Sequence, residues 1–323
     1  MEEDLEKSGL KPTDLDARPL SDPERAMTHV ASAVEGYVIP YFDIHGKILP
    51  FYRVRLFDNV PKYKQVKDSK NHIYFPKGFL SLVVNAKSKG QNYVVITEGE
   101  KKAIACTKKG IPAVALSGVD SWRTKTLILP EGTEFSAARV PGGRQGLAKA
   151  KLPSSDPELV KESSSLATGL SDFVDMVIQY KLTVIFCYDS DGGGVKYDVQ
   201  RAASALAFEL RHQGVQFSRI RQVILPPTDK LRADKIGLDD FLLANGVEPL
   251  LKLCEDACNR RSAFPRHPNV RQFLNSKLQN PRMSRKEVQA VGLAMLSDMD
   301  ARGRRLRSNS DDQLYYFNDT SRR

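Results

Sequence analysis

Four short apolar runs punctuate the middle of the chain, and carboxylates follow three of them. Tyr93-Val94-Val95-Ile96-Thr97 runs into Glu98-Gly99-Glu100, and Ala113-Val114-Ala115-Leu116 comes next. Thr183-Val184-Ile185-Phe186-Cys187-Tyr188 runs into Asp189-Ser190-Asp191, and Gln222-Val223-Ile224-Leu225-Pro226 precedes Gly237-Leu238-Asp239-Asp240. Runs so short and apolar read as strands buried on both faces. Helical patterns lie between them. One covers Lys101 to Lys109 and closes at Gly110; another carries Val199, Ala202, Ala203, Leu206 and Leu210 at helical spacing and stops at Gly214. Strands alternating with helices predict a parallel α/β sheet with helices on both faces. Ligands of such sheets bind beyond the carboxyl ends of the strands. The order therefore predicts that Glu98, Asp189, Asp191, Asp239 and Asp240 converge on one edge.

Convergence has an electrostatic consequence. Two like charges ~4 Å apart repel by about 4 kcal/mol at an effective dielectric of ~20. A hard divalent cation offsets that repulsion, and Mg²⁺ (or Mn²⁺) favours a few carboxylates, water and substrate phosphates. Gly192-Gly193-Gly194 after Asp191 would let a phosphate approach the backbone. Singly, Asp-Ser-Asp-Gly is a common turn and Glu-Gly-Glu-Lys-Lys a common helix start. Their order along one sheet is what points to a site.

The flanks have a different texture. Residues 1–35 read as a helical segment, in which Ser21-Asp22-Pro23-Glu24 carries the pattern of a capped first turn. From Gly36 the period becomes two: Tyr37 to Phe42 and Phe51 to Phe57 flank Asp43-Ile44-His45-Gly46-Lys47, a hairpin pattern. Alternation places Tyr52, Val54 and Leu56 on a core face and Arg53 and Arg55 side by side on the other. With Lys62 and Lys64, and with Tyr52, Phe57 and Tyr63 between them, these cations suit a track for single-stranded nucleic acid. A β-rich basic subdomain is thus expected over 36–92, an α/β core over 93–246, and a helical basic extension over 247–323. An insertion at about 125–169 interrupts the core, and its later half, Pro141 to Gly169, reads as a mobile loop rich in Gly, Ser and Lys. In the extension, a helix follows Gly246 and a linker spans Pro265 to Pro268. A helix from Ser284 carries Val288, Val291, Met295 and Met299 on one face, and Arg302 to Arg307 with Leu314 to Phe317 could start a hairpin.

Charge points to the class of partner. The chain has a formal net charge of +10. From Arg260 onward 14 Lys and Arg face 6 Asp and Glu, so most of the excess sits at one end and favours a polyanion, nucleic acid ahead of membrane. No apolar run approaches the roughly 18–20 residues of a membrane span. Met1 to Lys7 is mostly acidic, unlike a secretory signal. The 4 cysteines form no CxxC pair and no zinc spacing, which fits a reducing, cytoplasmic setting.

Val95-Ile96-Thr97-Glu98-Gly99-Glu100, Asp189-Ser190-Asp191 and Gly237-Leu238-Asp239-Asp240-Phe241-Leu242 together resemble the Toprim domain of DnaG-type primases, topoisomerases and certain nucleases. The resemblance covers roughly 93–246, less the insertion. Ile39 to Lys47 with Arg53, then Pro61-Lys62-Tyr63-Lys64, resembles the subdomain that precedes Toprim in bacterial and phage primases. Residues 8–246 as a whole are similar to primase-like Toprim proteins of phages and plasmids, which often continue into a helicase.

The resemblance implies a Toprim-type parallel sheet flanked by helices, with a smaller β-rich subdomain before it. It implies that Glu98 is the general acid/base or metal-organising carboxylate and that Asp189 and Asp191 are Mg²⁺ ligands. Asp239 would be a further metal-site acid, with Asp240 at a position where the family varies. Lys101 and Lys102 would approach phosphate. The implied activity is synthesis of short primers on single-stranded DNA from NTPs during replication of a phage, plasmid or other mobile element, with a replicative helicase linked or separate. A Toprim nuclease using the same metal site, or a non-catalytic DNA-binding module serving a helicase, are the alternatives. Nothing in the sequence identifies the nucleophilic tyrosine domain of a topoisomerase. The sequence departs from zinc-bearing primases in having no zinc-ribbon spacing before residue 36, and it contains no GxxxxGK[ST] loop of a P-loop helicase. Its end, just past the strand-like Gln313 to Phe317, reads as that of a fragment.

Overall fold

The computed structural model describes residues 1–57, 61–128, 139–141, 161–191, 195–229, 231, 235–260, 307–308 and 314–315. A first helix, α1 (Glu2–Glu6), opens a segment whose Leu5, Leu10 and Leu15 are fully buried. After β1 (Arg18–Pro19), the expected cap forms at α2 (Asp22–Thr28), where Glu24 accepts hydrogen bonds from the Ser21 N–H and hydroxyl at 3.0 and 2.6 Å. The hairpin follows as β2 (Gly36–Phe42) and β3 (Ile48–Leu56), and β4 (Tyr63–Gln65) completes an antiparallel sheet in the order β1-β2-β3-β4. Its turn is set by Asp43, whose carboxylate accepts the His45 and Lys47 N–H groups, and by Gly46 at φ 85°.

Both faces of the hairpin are covered. Val38, Val54 and Leu56 close over Leu20 and Val30, with Tyr52 at the margin, as alternation predicts. Tyr37, Ile39, Tyr41 and Phe51 enter the larger core on the opposite side. Arg53 and Arg55 share that second face and are enclosed with it, rather than standing open.

The α/β part begins with α3 (Phe79–Ser88), β5 (Tyr93–Glu98), α4 (Glu100–Lys108) and β6 (Ala113–Leu116). The insertion contributes β7 (Arg123–Ile128), β8 (Arg139–Pro141) and β9 (Lys161–Leu166). Then come α5 (Leu170–Gln179), β10 (Thr183–Phe186), β11 (Ser190–Asp191), α6 (Tyr197–His212), β12 (Ile220–Gln222), β13 (Lys235–Ile236), α7 (Leu238–Asn245) and α8 (Glu248–Asn259). Strands β12-β10-β5-β6 form an all-parallel sheet in that order. Val94, Ile96, Val114, Val184 and Phe186 point to one side, against Phe173 of α5 and Leu206 and Leu210 of α6. Val95, Ala113, Ala115 and Ile185 point to the other, against Ala103 of α4, Phe241 of α7 and Leu250 of α8. Helices thus cover both faces, and the architecture is mixed α/β with an antiparallel sheet ahead of it.

Two expectations need correction. The fourth strand pairs over Ile220–Gln222, earlier than the apolar run suggests; Val223 still donates to Phe186 O, but the Leu225 carbonyl is taken by the Ser190 hydroxyl and Pro226 has no N–H to give. Within Pro141 to Gly169, Lys161–Leu166 is a strand paired with Arg123–Ile128, so backbone pairing overrides its Ser-rich composition; 142–160 lies outside the described residues. A helix with Leu170, Phe173, Val174 and Val177 on its buried face also follows Gly169. The strands Arg307–Ser308 and Leu314–Tyr315 pair antiparallel, as the sequence suggests, whereas the linker and the Ser284 helix lie outside the described residues. Among the described residues no helix is long and apolar enough to cross a membrane, and all four cysteines are free.

The N-terminal segment is anchored electrostatically as well as by its leucines. Asp4 accepts hydrogen bonds from the Tyr37 hydroxyl at 2.8 Å, Arg55 Nη2 at 2.9 Å and Lys101 Nζ at 3.3 Å. Burial opposes its charge, but these partners outweigh burial and hold the carboxyl below the usual range. A lowered folded pKa means that this stabilisation is complete above the ordinary carboxylate range and is lost as pH falls through the folded value. Asp4→Asn is therefore expected to cost about 2 kcal/mol at neutral pH and to flatten the loss of stability toward acid. Urea midpoints taken near pH 7 and near pH 3 check this; equal acid slopes for the two proteins would contradict it.

Candidate active site

The three acidic motifs, far apart in sequence, are joined by backbone pairing. Glu98 ends β5, and Gly99, at φ 95°, turns the chain into α4 while its N–H donates to Leu116 O. The adjacent strand β10 continues past Phe186, with the Cys187 N–H donating to Ile96 O, and brings Asp189 beside Glu98. Ser190 is fully buried, and β11 pairs antiparallel with β13 so that Asp191 lies opposite Lys235. Two residues later Gly237 starts α7, placing Asp239 and Asp240 in its first turn. Three strand ends therefore deliver carboxylates to one edge of the sheet.

A lysine sits among them. Lys102, on the first turn of α4, puts Nζ 2.5 Å from Asp189 Oδ1, and Lys235 Nζ is 3.0 Å from Oδ2. The Lys102 contact is a close ion pair whose angle leaves the buried Oδ1 without a directed hydrogen bond. Burial pushes the Glu98 carboxyl up and Asp189 adds to that rise, while Lys102 opposes it. Asp240 is exposed at the rim and accepts from the Gly237 N–H at 3.3 Å; partial burial first, then Asp239, raises its carboxyl. Asp239 is 8% exposed, and its Oδ2 accepts the Ser8 hydroxyl at 2.5 Å.

Gly237 marks the point where these groups meet. A Cβ there would lie 2.8 Å from Asp239 Oδ1, 2.8 Å from Asp240 Oδ2 and 3.3 Å from Lys102 Cε. Gly237→Ala is thus expected to push both carboxylates aside and to weaken divalent-ion binding about tenfold, with little loss of fold because its backbone conformation suits any residue. Calorimetric Mn²⁺ titration of the variant measures this; unchanged affinity would contradict it.

Glu98, Asp189, Asp239, Asp240 and Lys102 are brought together. Asp191 is fixed by its backbone opposite Lys235, and its side chain lies outside the described residues. Lys101 turns away to Asp4. The basic track is corrected at its two arginines. Arg53 is 9% exposed and pairs with Glu100 at 2.6 Å, Arg55 pairs with Asp4, and Tyr63 stacks beneath both guanidinium groups at 4.6 and 5.2 Å. The cation–aromatic interleaving is present but turned inward, because Glu100 and Asp4 supply acids opposite that face. Lys62 is exposed, and Lys64 donates to His29 O. Ser8, Glu100 and Lys235 were not singled out from sequence. Glu100 and Lys235 lie inside the motifs and could have been suspected; Ser8, 231 residues from Asp239, carries no local signal.

Among the described residues no three His, Cys, Asp or Glu side chains stand close enough to cage a metal ion. The donor set nevertheless fits a hard cation. Its oxygens are all carboxylate, and the buried Asp189 Oδ1, which has no hydrogen-bond partner, faces the Lys102 ammonium.

Residues 85–131, which include Glu98-Gly99-Glu100, match a family model described as a domain of unknown function, DUF3854. No curated protein matches the chain. Solved structures to which the chain is similar include two DNA primase structures. One is the Aquifex aeolicus primase, zinc-binding and RNA polymerase domains, at 15% identity and a TM-score of 0.46, covering 93% of this chain and 66% of that one. The other is a DNA primase domain from Pseudomonas aeruginosa, at 14% identity and a TM-score of 0.39, covering 83% of this chain and 67% of that one. The chain spans just under two thirds of the Aquifex aeolicus chain.

Proposed function

We propose that this protein is a primase-type nucleotidyltransferase of the Toprim kind, making short primers on single-stranded DNA from NTPs. The observation that carries this reading is the gathering of Glu98, Asp189, Asp239 and Asp240 around Lys102 at the carboxyl edge of a parallel sheet. Glu98, Asp189, Asp191 and Asp239 would hold Mg²⁺ or Mn²⁺, and Asp240 stands at the rim. When bound, the ion supplies charge neutralisation for a triphosphate and activation of a 3′-hydroxyl. Burial raises the Glu98 carboxyl, and as a ligand it would be ionised, the bound charge offsetting that burial. Lys102, released from Asp189, would turn its ammonium to phosphate; of the expected basic track, Lys62 and Lys64 would remain for the template. A setting in phage, plasmid or other mobile-element replication, with a helicase partner, belongs to the same proposal.

A second reading draws on the ion pairs themselves. Lys102 and Lys235 neutralise Asp189 without a metal, which suits a core that binds DNA for a helicase and no longer turns over. Incubation with labelled single-stranded DNA, NTPs and Mg²⁺ separates the readings. Extension supports the primase, shortening a Toprim nuclease, and binding without either product the non-catalytic module.

A further inference from the structure

We propose that Ser8 is a positioning residue for Asp239, deciding which carboxylate oxygen is offered to the acidic site. The inference rests on the metal-site reading above and adds to it a residue from the far N-terminus. Ser8 is 5% exposed and donates to Asp239 Oδ2 at 2.5 Å. The other oxygen, Oδ1, lies 2.8 Å from the Cβ position of Gly237, on the side shared with Asp240 Oδ2 and Lys102. The two oxygens therefore have separate tasks. Oδ2 is tied inward, and Oδ1 is left to the site. Rotation of the carboxylate would exchange them, and the Ser8 hydrogen bond opposes that rotation.

Ser8 is itself held in place from both sides. Leu5 and Leu10 are buried before and after it, Leu5 O accepts its N–H, and Asp4 anchors the segment upstream. Downstream, Gly9 takes φ 67° and runs so close to α7 that a Cβ would lie 2.6 Å from Leu243 Cδ2. Asp14 then pairs with Lys108 of α4 at 2.7 Å. A hydroxyl fixed this firmly works as an outer partner orients a metal ligand, where its loss typically weakens metal binding about 10–100-fold.

Mn²⁺ affinity of the full chain, read by the loss of free Mn²⁺ signal in electron paramagnetic resonance, tests the proposal. Ser8→Ala is expected to weaken binding about tenfold, and Ser8→Thr, which keeps the hydroxyl, to retain wild-type affinity. Glu3→Gln removes the exposed ion pair with Lys7 in the same segment and is expected to leave affinity unchanged. Should Ser8→Ala not fold, Ser8→Cys keeps the volume with a weaker donor and is expected to weaken binding in the same direction. Wild-type affinity in Ser8→Ala, an equal loss in Ser8→Thr, or an equal loss in Glu3→Gln overturns the role of Ser8 while leaving the metal site standing. A wild-type chain that takes up no Mn²⁺ overturns both.

Discussion

Arg53→Ala is expected to destabilise the fold by about 3–5 kcal/mol, the range for breaking a buried ion pair by removing one partner. Glu100 is 1% exposed, and its Oε1 receives Arg53 Nη1 at 2.6 Å and the Tyr41 hydroxyl at 2.5 Å. Burial alone would raise this carboxyl; Arg53 above all, with Tyr41, holds it below its usual range. Without the guanidinium, a charge would be left in the core between hairpin and α4. The comparison that isolates the pair is a double variant, Arg53→Met with Glu100→Leu. It removes both charges and is expected to recover at least half of the loss. Urea denaturation of the single and double variants measures it. An Arg53→Ala chain within about 1 kcal/mol of wild type, the level of an exposed pair, would show that the two side chains do not share a dry interior. The pair also bears on the site, because Glu100 lies two residues beyond Glu98 and fixes the start of the helix that carries Lys102.

The largest effect on activity is expected from Asp189→Asn. Asp189 is 8% exposed, it touches both lysines of the site, and its charge adds to the rise of the Glu98 carboxyl that burial causes. An amide of the same shape removes the charge a divalent ion needs. Nucleotide incorporation is expected to fall by about 10²–10³-fold, the scale of losing one preorganised electrostatic group. Far-UV circular dichroism should remain that of the wild type. Incorporation that persists in the variant, or that needs no divalent ion, would remove the basis for the proposed chemistry.

What could be read in advance follows from how each element is buried. Strands β5 and β10 are covered on both faces, so their sequences are continuous apolar runs, and the carboxylates at their ends were visible as a consequence. The hairpin was equally legible from its aromatic alternation. Alternation says that Arg53 and Arg55 share a face but not what lies opposite, and the opposing acids are 47 and 51 residues away. The helix from Leu170 has a clear apolar stripe, yet it directly follows a Gly- and Ser-rich stretch that hid it. Strand β9 is Ser-rich, and its pairing with β7 is a backbone property with little side-chain signature. The Ser8–Asp239 contact is tertiary alone, and only the assembled chain reveals it.

The proposed chemistry needs the carboxylates from three strand ends to seat a divalent cation. Anomalous diffraction from crystals soaked in Mn²⁺ tests it most directly. A peak bounded by Glu98, Asp189 and Asp239 is expected, with the Lys102 ammonium moved off Asp189. An undisturbed Lys102–Asp189 pair at saturating Mn²⁺, with no peak at that edge of the sheet, would contradict it.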